Sequence, residues 1–253
     1  MKKFITGFLI TLLFLGVFTS NVSANHSWGG YHWARITNPF NLKLGDNLTP
    51  NWKSYLSTTS NDWSVSSVLD TNIVVGQARK NCGATSGQVE VCNKKYGNNG
   101  WLGIAQIWAN GLHVTQGIVK VNDTYFNTAK YNTPVWRNLV MCQEVGHTLG
   151  LDHQDEIFDN VNLGTCMDYT NNPILNQHPN AHDYEELEII YFHADSITTL
   201  TQTFGQTAKQ IALDNLDNAS EWGKLIKNNG KVAKYERQLS DGSKLHTFVI
   251  WAE

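Results

Sequence analysis

Cys142-Gln143-Glu144-Val145-Gly146-His147-Thr148-Leu149-Gly150-Leu151-Asp152-His153 is the stretch that decides the fold. Positions 143 and 147 lie four residues apart, so on a helix their side chains leave one face, one above the other. Glu144 stands beside the first of them. Gly150 falls where helices end on a residue of positive φ, which lets the chain turn back and bring His153 toward that face. Two imidazoles and an amide oxygen aimed at one point describe a metal site, and the neighbouring carboxylate is placed to take a proton from a water there.

A catalytic zinc centre uses about three protein ligands and keeps one position open. His147 and His153 are ordinary zinc ligands. Gln143 offers only a neutral amide oxygen, whereas zinc sites are built from Cys, His and Asp or Glu, so weaker metal binding is expected than with three histidines. His113, His178 and His182 are candidates for a compensating ligand, and no spacing singles one of them out.

Working outward, Thr133-Pro134 opens the motif helix, with Pro at its first position. Asp183 to Ala194 carries Leu187, Ile190 and Tyr191 on one face and predicts a second long helix. Upstream, Gly103 to Trp108 and His113 to Val121 predict two strands around Asn110-Gly111, a strong hairpin signal. Asn72 to Ala78 is a short strand of the buried type, and His32 to Ile36 a first strand. Thr49-Pro50 starts a helix with Trp52, Tyr55 and Leu56 on one side. Cys82 to Gly100, rich in Gly and Asn, reads as a loop. From Thr198 the composition turns polar, and Val232 to Leu239 and Lys244 to Trp251 then alternate around Asp241-Gly242 as a hairpin. Strands and helices mixed early and helices later point to an α/β or α+β domain. The domain is read as residues 25–197, with 198–253 a linker and hairpin appendage. No internal repeat or low-complexity tract is present.

Residues 1–24 read as a secretory leader: Lys2 and Lys3, an apolar run from Phe4 to Phe18, and Val22-Ser23-Ala24 as a small-residue cleavage site. Cleavage after Ala24 leaves 229 residues (253 minus 24), enough for one sizeable core. Without Lys2 and Lys3 the remainder has 17 basic residues (19 minus 2) against 22 acidic, a formal charge of −5. The basic residues are scattered, apart from a solvated enrichment at Lys224 to Arg237, so no nucleic-acid partner is indicated. No other stretch is long and apolar enough to span a bilayer. Four cysteines in an exported chain suggest two disulfides, and of the three possible pairings the local one is preferred: Cys82 with Cys92, and Cys142 with Cys166. Absence of any C-x-x-C pair weighs against a zinc–cysteine site.

Residues 133–169 resemble the metzincin zinc metallopeptidases, and the span from about 31 to 195 looks like a matrixin-type catalytic domain. Glu144, Gly146-His147, Gly150, His153 and, further on, Met167 in Cys166-Met167-Asp168-Tyr169 all stand in the family's order. The resemblance implies a mostly parallel twisted sheet, an active-site helix, and a turn carrying Met167 as a hydrophobic base under a Zn2+ ion held by His147, His153 and Gln143. It implies Glu144 as general base and Tyr169 as a further ligand or oxyanion donor. Gly103, Ile104, Ala105 and Gln106 would form the edge strand on which an extended peptide or protein substrate adds as one more strand. Departures are Gln143 itself, the lack of a cysteine-switch propeptide before residue 82, and the lack of the usual histidine-rich structural metal site of matrixins.

Each of these residues also has a plainer reading. Met167 alone is more often core, Tyr169 a packing aromatic, Glu144 a solvated helix residue, and the nine tryptophans core and loop anchors rather than sugar platforms. Their joint offsets favour a secreted, monomeric zinc endopeptidase. The alternative is a metzincin-shaped binding protein that has lost catalysis.

Overall fold

The computed structural model describes residues 25–78, 81–201 and 216–252. The expected leader at 1–24, with its cleavage point, lies outside the described residues, as does 202–215 of the expected linker. The strands are β1 (His32–Trp33), β2 (Phe40–Asn47), β3 (Leu69–Val75), β4 (Gln88–Lys94), β5 (Trp101–Asn110), β6 (His113–Asn122), β7 (Lys224–Asn228), β8 (Val232–Gln238) and β9 (Lys244–Trp251). The helices are α1 (Pro50–Trp63), the single turn α2 (Asp123–Phe126), α3 (Pro134–Thr148) and α4 (Ala181–Ile190).

The strands form one mixed sheet in the order β3-β2-β4-β6-β5-β9-β8-β7, with β1 also paired to β6. The β2–β3, β2–β4, β4–β6 and β1–β6 pairings are parallel. The pairings from β6 through β5, β9 and β8 to β7 are antiparallel. Gly111-Leu112 makes the β5–β6 turn, with Gly111 at φ +59° and Asn110 paired to His113 on either side, one residue on from the Asn-Gly pair that signalled it. Helices α1 and α3 pack on each other, and α3 lies across β5 and β6. The fold is therefore α/β, as the element order predicts.

Three strands depart from the sequence reading, β2, β4 and β7, the last inside the stretch read as linker. β2 was not anticipated, although Phe40, Leu42 and Leu44 alternate inward along it. β4 lies inside the stretch expected to be a loop. Its Glu90 hides the pattern, because this fully buried carboxylate accepts from the Gln88 and Asn47 amides and from the Gln77 backbone N–H. A charged residue satisfied in this way sits in a central strand without looking apolar.

The C-terminal hairpin is not an appendage. β9 pairs with β5 from Trp101↔Trp251 to Ala109↔Lys244, and β8 and β7 continue the same sheet. Gly103, Ile104, Ala105 and Gln106 therefore do not form an edge. They face Ile250, Val249, Phe248 and Thr247 of β9. A free β5 edge would leave a row of unpaired N–H and C=O groups, and the chain covers it with its own last strand. On the sheet face away from α3, Trp101, Ile104, Trp222, Ala233 and Val249 form a second core. There Trp101 Nε1 donates to Asp217 O at 2.9 Å, Gln106 Nε2 to Leu216 O at 3.0 Å, and buried Lys120 pairs with Asp217 at 2.7 Å.

Candidate functional site

Helix α3 begins as its sequence requires. Thr133 accepts a hydrogen bond from the Trp136 N–H, and Pro134 occupies the first turn. From Leu139 to Thr148 every residue is buried, so the motif lies between layers and not on a solvated face. Gly103 permits this contact. A Cβ there would stand 2.5 Å from Val140 Cγ1 and 2.9 Å from Glu144 Oε1, so only glycine lets β5 approach the helix this closely. Gly146 does the same on another side, where a Cβ would meet Met167 Sδ at 2.5 Å and Trp63 at 2.8 Å. The Met167 segment thus presses on the helix between Gln143 and His147, and the Cys142–Cys166 disulfide ties the two together. The other bridge is Cys82–Cys92. Both cysteine pairings agree with the local connectivity preferred from sequence.

The end of α3 is held by side chains. The last carbonyls of a helix have no intrahelical donor. Here Trp28 Nε1 donates to His147 O at 2.9 Å, Trp33 Nε1 to Thr148 O at 2.9 Å, and Tyr191 Oη to Leu149 O at 2.9 Å. Trp63 Nε1 reaches Cys142 O at 3.2 Å. Four of the aromatic anchors are therefore frame bolts for the motif. Gly150 follows at φ +103°, and the backbone returns so that Trp28 N bonds Gly150 O and His26 O accepts from Asp152 N.

His147 and His153 then meet edge to face, ring centroids 4.7 Å apart at 86°. His147 Nδ1 lies 2.8 Å from Leu151 O. A carbonyl can only accept, so the proton is on Nδ1 and the Nε2 lone pair is free. Burial, then the adjacent His153, push the His147 pKa down to about 3, which keeps the ring neutral. His153 Nδ1 lies 3.3 Å from Glu156 Oε1 and 3.6 Å from Asp152 Oδ1, while its Nε2 is buried without a hydrogen-bond partner. Carboxylates behind an imidazole fix the ring in the orientation a metal ligand needs.

Gln143 Nε2 donates to Cys166 O at 2.9 Å, which turns its Oε1 into the interior, where that oxygen has no partner. Both Glu144 oxygens are likewise buried without a well-formed hydrogen bond. Burial drives the Glu144 pKa well above the usual carboxylate range, opposed by the nearby Ala105 backbone. Tyr169 packs against His153 at 5.8 Å, and burial, reinforced by Glu144, keeps its hydroxyl protonated.

The structure therefore brings Gln143, Glu144, His147, His153, Met167 and Tyr169 together. An orphaned amide oxygen, an orphaned imidazole nitrogen and a second imidazole with a free lone pair are donor types that a divalent ion takes. The proposed compensating ligands point to other partners: His113 to Asp195, His178 to Asp62 and His182 to Glu185. Sequence reasoning missed Asp152 and Glu156, although their positions one residue before and three after His153 signalled them. It also missed Phe248, whose ring stacks on His147 at 4.3 Å and 14°. Lys234 and Lys227 reach over from the same C-terminal block to Asp152 (3.5 Å) and Glu156 (2.6 Å). His147 and Glu144 are consequently shut off from solvent.

No protein-family model matches the chain, and no curated protein sequence matches it. Among solved structures, it is similar to a crystal structure of myroilysin, with 13% identity, a TM-score of 0.36, and coverage of 63% of this chain and 86% of that one. A second myroilysin structure has 12% identity, a TM-score of 0.36, and coverage of 62% and 82%. With likenesses this distant, the functional reading rests on the side chains of this chain.

Proposed function

We propose that the chain is a secreted zinc-dependent endopeptidase with His147, His153 and Gln143 as metal ligands and Glu144 as general base. The observation that carries this reading is the set of buried, partnerless atoms on Gln143, Glu144 and His153 beside a neutral His147 whose ring meets that of His153. Buried polar atoms without partners cost about 1–3 kcal/mol each, a cost that a bound cation and its water remove. When bound, zinc supplies a Lewis acid that polarises a carbonyl and lowers the pKa of a water to about 7. Glu144 takes the proton of the attacking water and returns it to the leaving amine. Its pKa, raised by burial, moves it toward the operating pH at which such transfer is efficient. The Tyr169 hydroxyl, kept protonated by burial, donates to the oxyanion. Two disulfides fit an oxidising, extracellular setting.

Phe248 on His147, the two lysine–carboxylate pairs and the β5–β9 ladder keep this centre closed. Substrate access to the centre therefore requires β8 and β9 to swing away. The same closure favours the second reading, a catalytically silent binding protein of this shape. Glu144→Gln separates the two. Casein turnover, measured with and without chelator, is expected to fall roughly 10²–10⁴-fold in the variant with an unchanged circular dichroism spectrum. Equal turnover in both proteins would sink the peptidase assignment.

A further inference from the structure

Away from the motif, three histidines surround one carboxylate oxygen. Asp195 Oδ1 lies 3.5 Å from His32 Nε2, 3.4 Å from His113 Nε2 and 3.6 Å from His193 Nε2. No local motif announces the group. His32 is on β1, and His113, its register partner, opens β6; His193 and Asp195 follow α4. The second carboxylate oxygen is already engaged, accepting from Arg35 Nη1 at 2.9 Å and the Arg35 N–H at 3.1 Å.

Hydrogen bonding alone does not account for this arrangement. His32 Nδ1 sits 2.8 Å from Gly30 O and must donate to it, so a neutral His32 turns an Nε2 lone pair toward another acceptor. Donation from all three rings would crowd three N–H groups and the Arg35 guanidinium onto one carboxylate, with His32, already donating through Nδ1, forced to be an imidazolium. A divalent ion removes the conflict, because it takes neutral lone pairs and a carboxylate oxygen together. The spacing agrees for three of the four residues: the ligand atoms of His32, His193 and Asp195 all lie within 4.8 Å of one another, compact enough to close on one ion with bonds of about 2.0–2.2 Å, while His113 stands beside Asp195 and outside that group. The Gly30 carbonyl behind His32 and the Arg35 guanidinium behind Asp195 supply the outer contacts that orient such ligands.

We propose that His32, His193 and Asp195 form a structural site for a zinc-type divalent ion, separate from the His147–His153 centre. The ion clamps β1 to the segment after α4. Trp33, next to His32, holds the Thr148 carbonyl, and Tyr191, two residues before His193, holds the Leu149 carbonyl. The clamp therefore steadies the end of α3 from outside. His193 is about one-third exposed at its side chain (36%), so an ion can reach it and its replacement spares the core.

Zinc per chain is measured on the full-length protein after dialysis against buffered micromolar zinc. The comparison is between His153→Ala, which disables the motif centre, and His153→Ala/His193→Ala. One equivalent is expected in the first and none in the second, and zinc is expected to raise the Tm of the first alone. His193→Ala in the unaltered background is expected to lose one equivalent, which keeps the test valid should His153→Ala misfold. Equal zinc content with and without His193, or a zinc-free His153→Ala protein that is folded, would overturn the site whatever becomes of the peptidase reading.

Discussion

Replacing Phe248 by Ala tests the closure of the candidate active site most directly. The Phe248 ring is 1% exposed; it stacks on His147, meets Trp28 edge-on at 5.3 Å, and lies beneath Lys234 Nζ at 4.8 Å. Truncating a buried phenylalanine costs about 3–5 kcal/mol. Any state in which β8 and β9 have left β5 has already lost these contacts, so the full amount is subtracted from the free energy of opening. At 1.4 kcal/mol per factor of ten, the open population rises roughly 10²- to 4 × 10³-fold. Hydrolysis of a quenched fluorescent peptide at low substrate, limited by opening in the unaltered protein, should rise by a similar factor until the open form dominates. Amide exchange at Thr247 and Val249 should accelerate with it. Urea unfolding reports how much stability was lost. If stability falls by about 3 kcal/mol or more while hydrolysis does not increase, the hairpin is not what bars the substrate.

Gln143→His replaces the amide oxygen by an imidazole nitrogen beside the same Cys166 carbonyl. Zinc should then resist a competing chelator at least about tenfold better, near 1.4 kcal/mol, as read from half-extraction concentrations. Gly150→Ala forces a side chain onto φ +103° with its Cβ 2.5 Å from Tyr31 O; a loss of about 1–3 kcal/mol is expected by urea denaturation. Asp183 gives a pH prediction with a definite sign. Burial raises its pKa from 3.8 to about 6, against the opposing hydrogen bonds from Thr165 and the Asn180 N–H. A carboxyl whose folded pKa is raised stabilises the fold in its protonated form, fully below the unfolded value, and loses that contribution as pH climbs through about 6. The stability advantage of the unaltered chain over Asp183→Asn should therefore shrink between about pH 4 and about pH 7, and an advantage that grows over that range would contradict the assignment.

The legible parts of the fold were those with strong local signals. Thr133-Pro134, Asn110-Gly111, Gly150 and the alternation at Val232 to Leu239 each mark a boundary by backbone chemistry that needs no distant partner. β4 was illegible because Glu90 is hydrogen-bonded by the Asn47 side chain of β2 and the Gln77 backbone N–H after β3, which only the assembled sheet supplies. The β5 edge was misread for a related reason: whether a strand is an edge depends on what pairs with it, and β9 comes from the other end of the chain.

The sequence by itself determined the motif helix, its glycine exit, and the candidate ligands Gln143, His147 and His153 with Glu144 between them. All of these depend on spacings of a few residues, which helix geometry converts directly into position. Only the tertiary structure decided that Phe248 lies on His147, that Trp28, Trp33 and Tyr191 hold the end of α3, and that His32, His113 and His193 share one oxygen of Asp195. Those arrangements join residues far apart in the chain, and their register is set by packing and strand pairing, which no local pattern encodes.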